Sequence, residues 1–271
     1  MLLLNKEKQG RKIIAVCGKG GAGKTAVSAM MAGAVRRLDP SSRTLLIDAD
    51  PAGGLAFAMG VEVRKTVGEV REDVIRQARK RDPEIKERIA NSIDYYVLEA
   101  LVERSGWSLL PMGRGESAGC FCPVNSLLRE AIKALAGDFD RIIIDGEAGV
   151  EQIMRQVMRS VDTLLVVSDL SVRGLNTVSI IKNLLKDKRV LLDPEIMLII
   201  NRVKDDSRAL ESAGRVGFEP AALVPEDPIV IEWDAQSKPL GEIPSETPSM
   251  KAVEKLVTRL FFDTEIAAVG K

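Results

Sequence analysis

Seven short, largely apolar runs punctuate the chain, each five to seven residues long: KIIAVC near Ile13, RTLLID near Leu46, WSLLPM near Leu109, RIIIDG near Ile143, DTLLVVS near Val166, IMLIIN near Leu198 and AALVP near Leu223. They do not alternate with polar residues, so both faces of each strand are covered. Helical patterns separate them. Strands of this kind alternating with helices predict an α/β fold: one domain with a mostly parallel central sheet and helices on both faces. From Val63 to Arg104 the text turns charged and helical, and Pro83 breaks it in two. This predicts a helical insertion around 63–104 within a single domain spanning 1–271.

Composition narrows the setting. Lys+Arg and Asp+Glu number 39 each, so the formal net charge is +0 and no global field draws nucleic acid or an anionic membrane. The apolar opening, MLLL, is too short for a signal-peptide core and no later run approaches a membrane span, so the expected setting is cytoplasmic. With 3 cysteines and 0 histidines, soft-metal ligation falls to thiolates and acid–base work to carboxylates or lysine.

After the first strand comes GKGGAGKT, Gly18 to Thr25, and then an Ala- and Met-rich helix. Strand, glycine turn, Lys-Thr and helix form the context of a phosphate loop, in which backbone N–H groups turn toward phosphate oxygens at a helix N-terminus. The nucleotide-binding candidates are Gly20, Gly21, Ala22, Gly23, Lys24, Thr25 and Ala26. Lys24 would reach the β- and γ-phosphates of ATP, and the Thr25 hydroxyl would ligate Mg²⁺. Asp145 ends the strand RIIID, where a carboxylate would hold Mg²⁺ or its water. Asp48 and Asp50 end another strand, and one of them is placed to orient attacking water, with Asp50 also a candidate magnesium ligand. A turn or helix-cap role fits each carboxylate taken alone equally well.

KGGAGKT, with its extra Lys19, resembles the deviant phosphate loop of the ATPase class that includes MinD, ParA and the nitrogenase iron protein. The resemblance implies a homodimer linked to ATP, in which Lys19 crosses the two-fold axis to the partner's nucleotide. It also implies that Asp50 is the switch I aspartate, that Gly149 holds the switch II position, and that Asn201 in NRV reads adenine. Within the class, MGRGESAGCFCPVNSLLREAI and DGEAGVEQ resemble the CooC-type nickel-insertion ATPases that serve carbon monoxide dehydrogenase and acetyl-CoA synthase. Ala26, where a second threonine is usual, and Gln152, where some members carry histidine, depart from the pattern.

Cys120 and Cys122 are one residue apart, too close for an easy disulfide and only half of a tetrahedral shell. If the dimer is isologous, the second half is the same pair in the other subunit, giving a Cys₄ site for Ni²⁺ or Zn²⁺. Cys17, at the end of a buried strand, reads as core. The expected client is a nickel enzyme of the carbon monoxide dehydrogenase/acetyl-CoA synthase type, with neither nucleic acid nor membrane as partner. Two other readings stand beside this one: a MinD- or ParA-like positioning ATPase, and an iron–sulfur reductase like the nitrogenase iron protein.

Overall fold

The computed structural model describes residues 11–78, 92–113, 132–146, 161–186 and 194–262. Among the described residues eight strands form one sheet in the order β3-β4-β2-β5-β1-β6-β7-β8. They are β1 (Lys12–Gly18), β2 (Thr44–Asp48), β3 (Val102–Arg104), β4 (Trp107–Pro111), β5 (Arg141–Asp145), β6 (Thr163–Ser168), β7 (Glu195–Val203) and β8 (Pro220–Pro225). All neighbours pair in parallel except β3, which runs antiparallel to β4 at one edge. The seven apolar runs are the seven parallel strands. The eighth strand lies inside the stretch read as helical: Val102–Arg104 turns back on Trp107 through Gly106, whose φ of 86° suits a tight turn.

The helices are α1 (Lys24–Leu38), α2 (Gly54–Ala58), α3 (Val67–Ala78), α4 (Ile93–Ala100), α5 (Val172–Lys186), α6 (Asp206–Arg215), α7 (Pro228–Ala235) and α8 (Pro248–Phe261). Successive side chains of a strand point to opposite faces, and β1 divides accordingly. Ile13, Ala15 and Cys17 belong to one apolar core with residues of α3, α4, α5 and α6. Ile14 and Val16 belong to the other, with α1, α2 and α8. Fully apolar strands are the consequence of this double coverage, as the sequence pattern requires.

The topology also fixes where chemistry can happen. β1 lies between β5 and β6, and the chain passes from one side of β1 to the other between those two strands. Such a reversal leaves a crevice at the carboxyl ends of the strands, because the loops on either side diverge. The loop leaving β1 therefore emerges between the end of β5, which is Asp145, and the end of β6, which leads into Asp169.

Candidate nucleotide site

The glycines of the loop after β1 meet two separate demands. Gly18 has φ 136°, and a Cβ there would lie 2.1 Å from the Val167 carbonyl oxygen on β6. Gly23, the residue before α1, has φ 91°, and a Cβ would lie 2.2 Å from Asn201 Nδ2. Neither place admits a side chain. Among the described residues no side chain caps α1, and its first turn holds no acidic residue, so its backbone N–H groups and positive dipole end are left for an anion.

A cleft of about 770 Å³ opens over this loop, lined by Gly20, Gly21, Gly23, Lys24, Thr25, Ala26 and Asp50, and by Asn201, Arg202 and residues of α7. Lys24 is buried within it. Thr25 donates its hydroxyl to Asp145 Oδ2 at 2.7 Å, and Ser28, one helical turn later, donates to Asp145 Oδ1 at 2.9 Å. Both hydroxyls come from the same face of α1. Asp145 is 1% exposed; burial above all pushes its carboxyl upward, against the hydrogen bonds of Thr25 and Ser28 and the charge of Lys24, while Asp50 adds to the rise.

Asp48 and Asp50 part company in the structure. Asp48 is buried and spends both oxygens on backbone, accepting from Asp50 N–H at 3.2 Å and Leu55 N–H at 3.0 Å. It pairs in register with Asp145 on β5. Burial, and next the Asp145 charge, raise its carboxyl to about 6. Asp48 thus ties down the turn that carries Asp50 and the start of α2. Asp50 is half-buried, accepts from Ala52 N–H at 2.9 Å and lines the cleft beside Thr25. Of the two carboxylates, Asp50 alone faces the space a substrate would fill.

Lys19 is held within its own chain. Its Nζ lies 3.2 Å from Asp169 Oδ2 and 3.1 Å from Ser171 Oγ. Ser171 in turn donates its hydroxyl to Asp169 Oδ1 and accepts from Gly174 N–H at 3.1 Å. Burial pushes the Asp169 carboxyl up, yet the hydrogen bonds from Ser171 and Lys19 outweigh it and hold the group below its ordinary value. Asn201 is buried at the end of β7 and donates Nδ2–H to the Ala22 carbonyl at 2.9 Å, pinning the phosphate loop. One amide hydrogen and the amide oxygen remain for a ligand.

Cys17 is 2% exposed and its thiol is pushed up to about 12 by burial, against the charge of Lys24. It is a core residue. Cys120, Cys122, Gly149 and Gln152 lie outside the described residues. Among the described residues no group of three Cys, Asp or Glu side chains could hold a metal ion. Asp169, Ser171 and Ser28 were not singled out by sequence reasoning. Ser28 alone carried a signal, its position three residues after Thr25 on the helix face that meets the loop.

A lysine-bearing glycine loop at the reversal point of a doubly wound sheet, with a hydroxyl and two strand-end carboxylates beside it, defines a P-loop ATPase of the MinD/ParA fold. The AAA domain model matches residues 11–196, and the chain belongs to that family. An uncharacterized ATP-binding protein of Methanocaldococcus jannaschii is 36% identical over 92% of this chain and 98% of its own length. The carbon monoxide dehydrogenase accessory protein CooC of Rhodospirillum rubrum is 33% identical over 64% of this chain and 69% of its own. In fold, the chain is similar to the septum site-determining protein MinD complexed with Mg-ADP from Pyrococcus horikoshii, with a TM-score of 0.67, 20% identity, and coverage of 94% of this chain and 98% of that one. No helix among the described residues is long and apolar enough to cross a membrane.

Proposed function

We propose that this ATPase is a metallochaperone that couples ATP hydrolysis to the capture and release of nickel for an enzyme of the carbon monoxide dehydrogenase/acetyl-CoA synthase type. The observation that carries the reading is the likeness to the CooC accessory protein, joined to the paired thiols of GCFCPVNS. Lys24 and the N-terminus of α1 hold the phosphates. Thr25, Asp145 and Asp50 are all oxygen donors, the set a hard Mg²⁺ ion takes, and the ion would neutralise charge on the phosphates. Asp50 orients the attacking water. Asn201 keeps a donor and an acceptor for the adenine edge. Lys19 leaves Asp169 and reaches the partner's nucleotide, so that ATP favours the closed dimer, and Gly149 senses the γ-phosphate.

Cys120 and Cys122 of each subunit then converge on one nickel or zinc ion. A site shared across a switchable interface can be weakened when hydrolysis loosens the dimer, whereas a permanent structural zinc site is worth about 10–16 kcal/mol and resists handover. The test is an anaerobic titration of nickel and of zinc, with ADP and with ATP, scored for stoichiometry and oligomeric state. One ion per two chains, tighter with one nucleotide than the other, is the expected result. Equal affinity in both nucleotide states would remove the coupling.

The MinD-like fold favours a second reading, a positioning ATPase that cycles on a surface. ATP-dependent sedimentation with anionic vesicles, in a protein that ignores nickel, would select it.

A further inference from the structure

β8 is the last strand on its side of the sheet, and among the described residues no strand pairs with its outer edge. Such an edge carries backbone N–H and C=O groups without partners, and proteins commonly blunt it with charge or proline. Here Pro220 and Pro225 guard only the two ends, and Ala221, Ala222, Leu223 and Val224 between them carry no charge. A groove of about 910 Å³ runs along this strand. Asp206 of α6 lines it from one face of the sheet, and Lys251, Lys255 and Arg259 of α8 line it from the other, so it opens on the edge itself.

The three cations form a row. At four-residue spacing they share one face of α8, they are exposed, and they make no ion pair among the described residues. Glu254 also lines the groove, but Arg37 takes it at 2.8 Å. α8 runs against the direction of β8. Ser249 at its start bonds to Asp227, just past the end of β8, and the Phe261 carbonyl at its finish accepts at 3.5 Å from Arg141, the first residue of β5. The row therefore lies alongside the edge, its members about 6 Å apart by helical rise. Alternate residues of an extended strand are about 6.7 Å apart and face the same way. Acids at every second position of a strand paired to β8 would meet these cations in turn.

Other occupants fit worse. A second copy paired edge to edge about a two-fold axis would bring two rows of like charge together. The chain beyond α8 could add a parallel strand here only by a left-handed crossover. α8 covers the face of α1, whereas the right-handed steps toward this edge, β6 to β7 and β7 to β8, pass through α5 and α6 on the opposite face. A lipid surface would need the apolar face of α8, and Met250, Val253, Val257 and Leu260 are fully buried in the core.

We propose that the edge of β8 is a docking site for an extended acidic segment of a partner protein, added to the sheet as a further strand with carboxylates at alternate positions facing α8. Backbone bonds to β8 supply the affinity, and the row of cations selects the partner.

The probe is an acetylated, amidated peptide of three Glu-Val repeats, titrated against the full chain by calorimetry while NMR follows amide exchange along β8. It should bind and slow exchange of the outward-pointing amides among Ala221–Val224. Lys255→Glu with Arg259→Glu should weaken it about tenfold and leave ATP affinity as it is in the unaltered protein. The same peptide N-methylated throughout keeps its charges but donates no backbone N–H, and it should not bind; nor should a Lys-Val peptide. No binding of the Glu-Val peptide at about 1 mM, equal binding of its N-methylated form, unchanged exchange along β8, or undiminished affinity in the double variant would each overturn the proposal. So would exchange protection of β8 that grows with protein concentration in the absence of peptide, which assigns the edge to a second copy. Anionic vesicles bound through Lys255 and Arg259 by a protein that ignores the peptide would overturn it as well.

Discussion

Lys19 Nζ sits 3.2 Å from Asp169 Oδ2, so the lysine to which the family resemblance gives a role at a partner's nucleotide is bound in its own subunit. The pair joins the loop after β1 to the loop after β6, two strands that are neighbours in the sheet. Its side chains are 29% and 24% exposed, and an ion pair this close to solvent is worth at most about 1 kcal/mol. On the proposed reading, in which Lys19 reaches a partner's nucleotide, this pair is a shallow latch that a phosphate binding the lysine better would open.

Asp169→Asn should therefore strengthen ATP-dependent dimerisation by up to about fivefold, since 1 kcal/mol is a factor of about five. Sedimentation velocity over a series of protein concentrations in ATP checks this. A weaker dimer would mean that the carboxylate also serves the closed state, and the latch would have to be abandoned.

The second hydroxyl on Asp145 makes a different kind of prediction. Ser28 is fully buried, so Ser28→Ala leaves Asp145 Oδ1 without that donor in a place water does not reach. A buried charged acceptor left short costs about 1–3 kcal/mol. Thermal unfolding should fall by about 2–4 °C for each kcal/mol lost in a chain of this size. Nucleotide affinity should fall more with magnesium than without it, because the change acts on the carboxylate that would hold the ion.

Much of this site could be read in the sequence, and the boundary has a physical reason. Lys24 and Thr25 open α1, Asp50 follows β2 and Asp145 ends β5, all in patterns set by local spacing, and the structure brings the four to one cleft or its wall. Asp169 and Ser171 follow a strand in a fashion common to any helix start, and their contact with Lys19 exists only because β6 is laid beside β1. Strand order is a long-range choice that no local pattern encodes. β3 was hidden for another reason, being three residues long and reading as Val-Glu-Arg at the end of a helical stretch.

The buried carboxylates give a pH dependence with a definite sign. The Asp48 carboxyl rises from 3.8 to about 6 in the folded chain, so the native state keeps a proton that the unfolded state gives up. Its favourable contribution is full below 3.8 and is lost as pH rises through about 6. The difference amounts to about 3 kcal/mol, at 1.36 kcal/mol per unit. Asp145 is shifted the same way. Across pH 4.5 to 7, then, the unfolding free energy of unliganded protein minus that of Asp48→Asn should decline, and Mg-ADP should restore most of it at the upper end, because a cation in the cleft favours ionised carboxylates. Denaturant melts at several pH values, with and without Mg-ADP, measure both. A difference independent of pH would place Asp48 outside this balance.

The paired thiols make the prediction on which the metallochaperone reading stands. With two thiolates per chain and a shared ion, one ion should bind per two chains, and either Cys120→Ser or Cys122→Ser should remove two of four thiolates at once. A hydroxyl is a poor ligand for a soft metal, so affinity for nickel and zinc should collapse rather than halve. The phosphate loop is built from β1 and α1 and shares no residue with this motif, so both serine variants should bind ATP as the unaltered protein does. Zinc and nickel affinities by competition with a chelator, beside ATP affinity by calorimetry, separate the two sites. One ion per chain on a monomer, retained after either substitution, would sink the shared site and leave an ATPase whose cargo must be sought elsewhere.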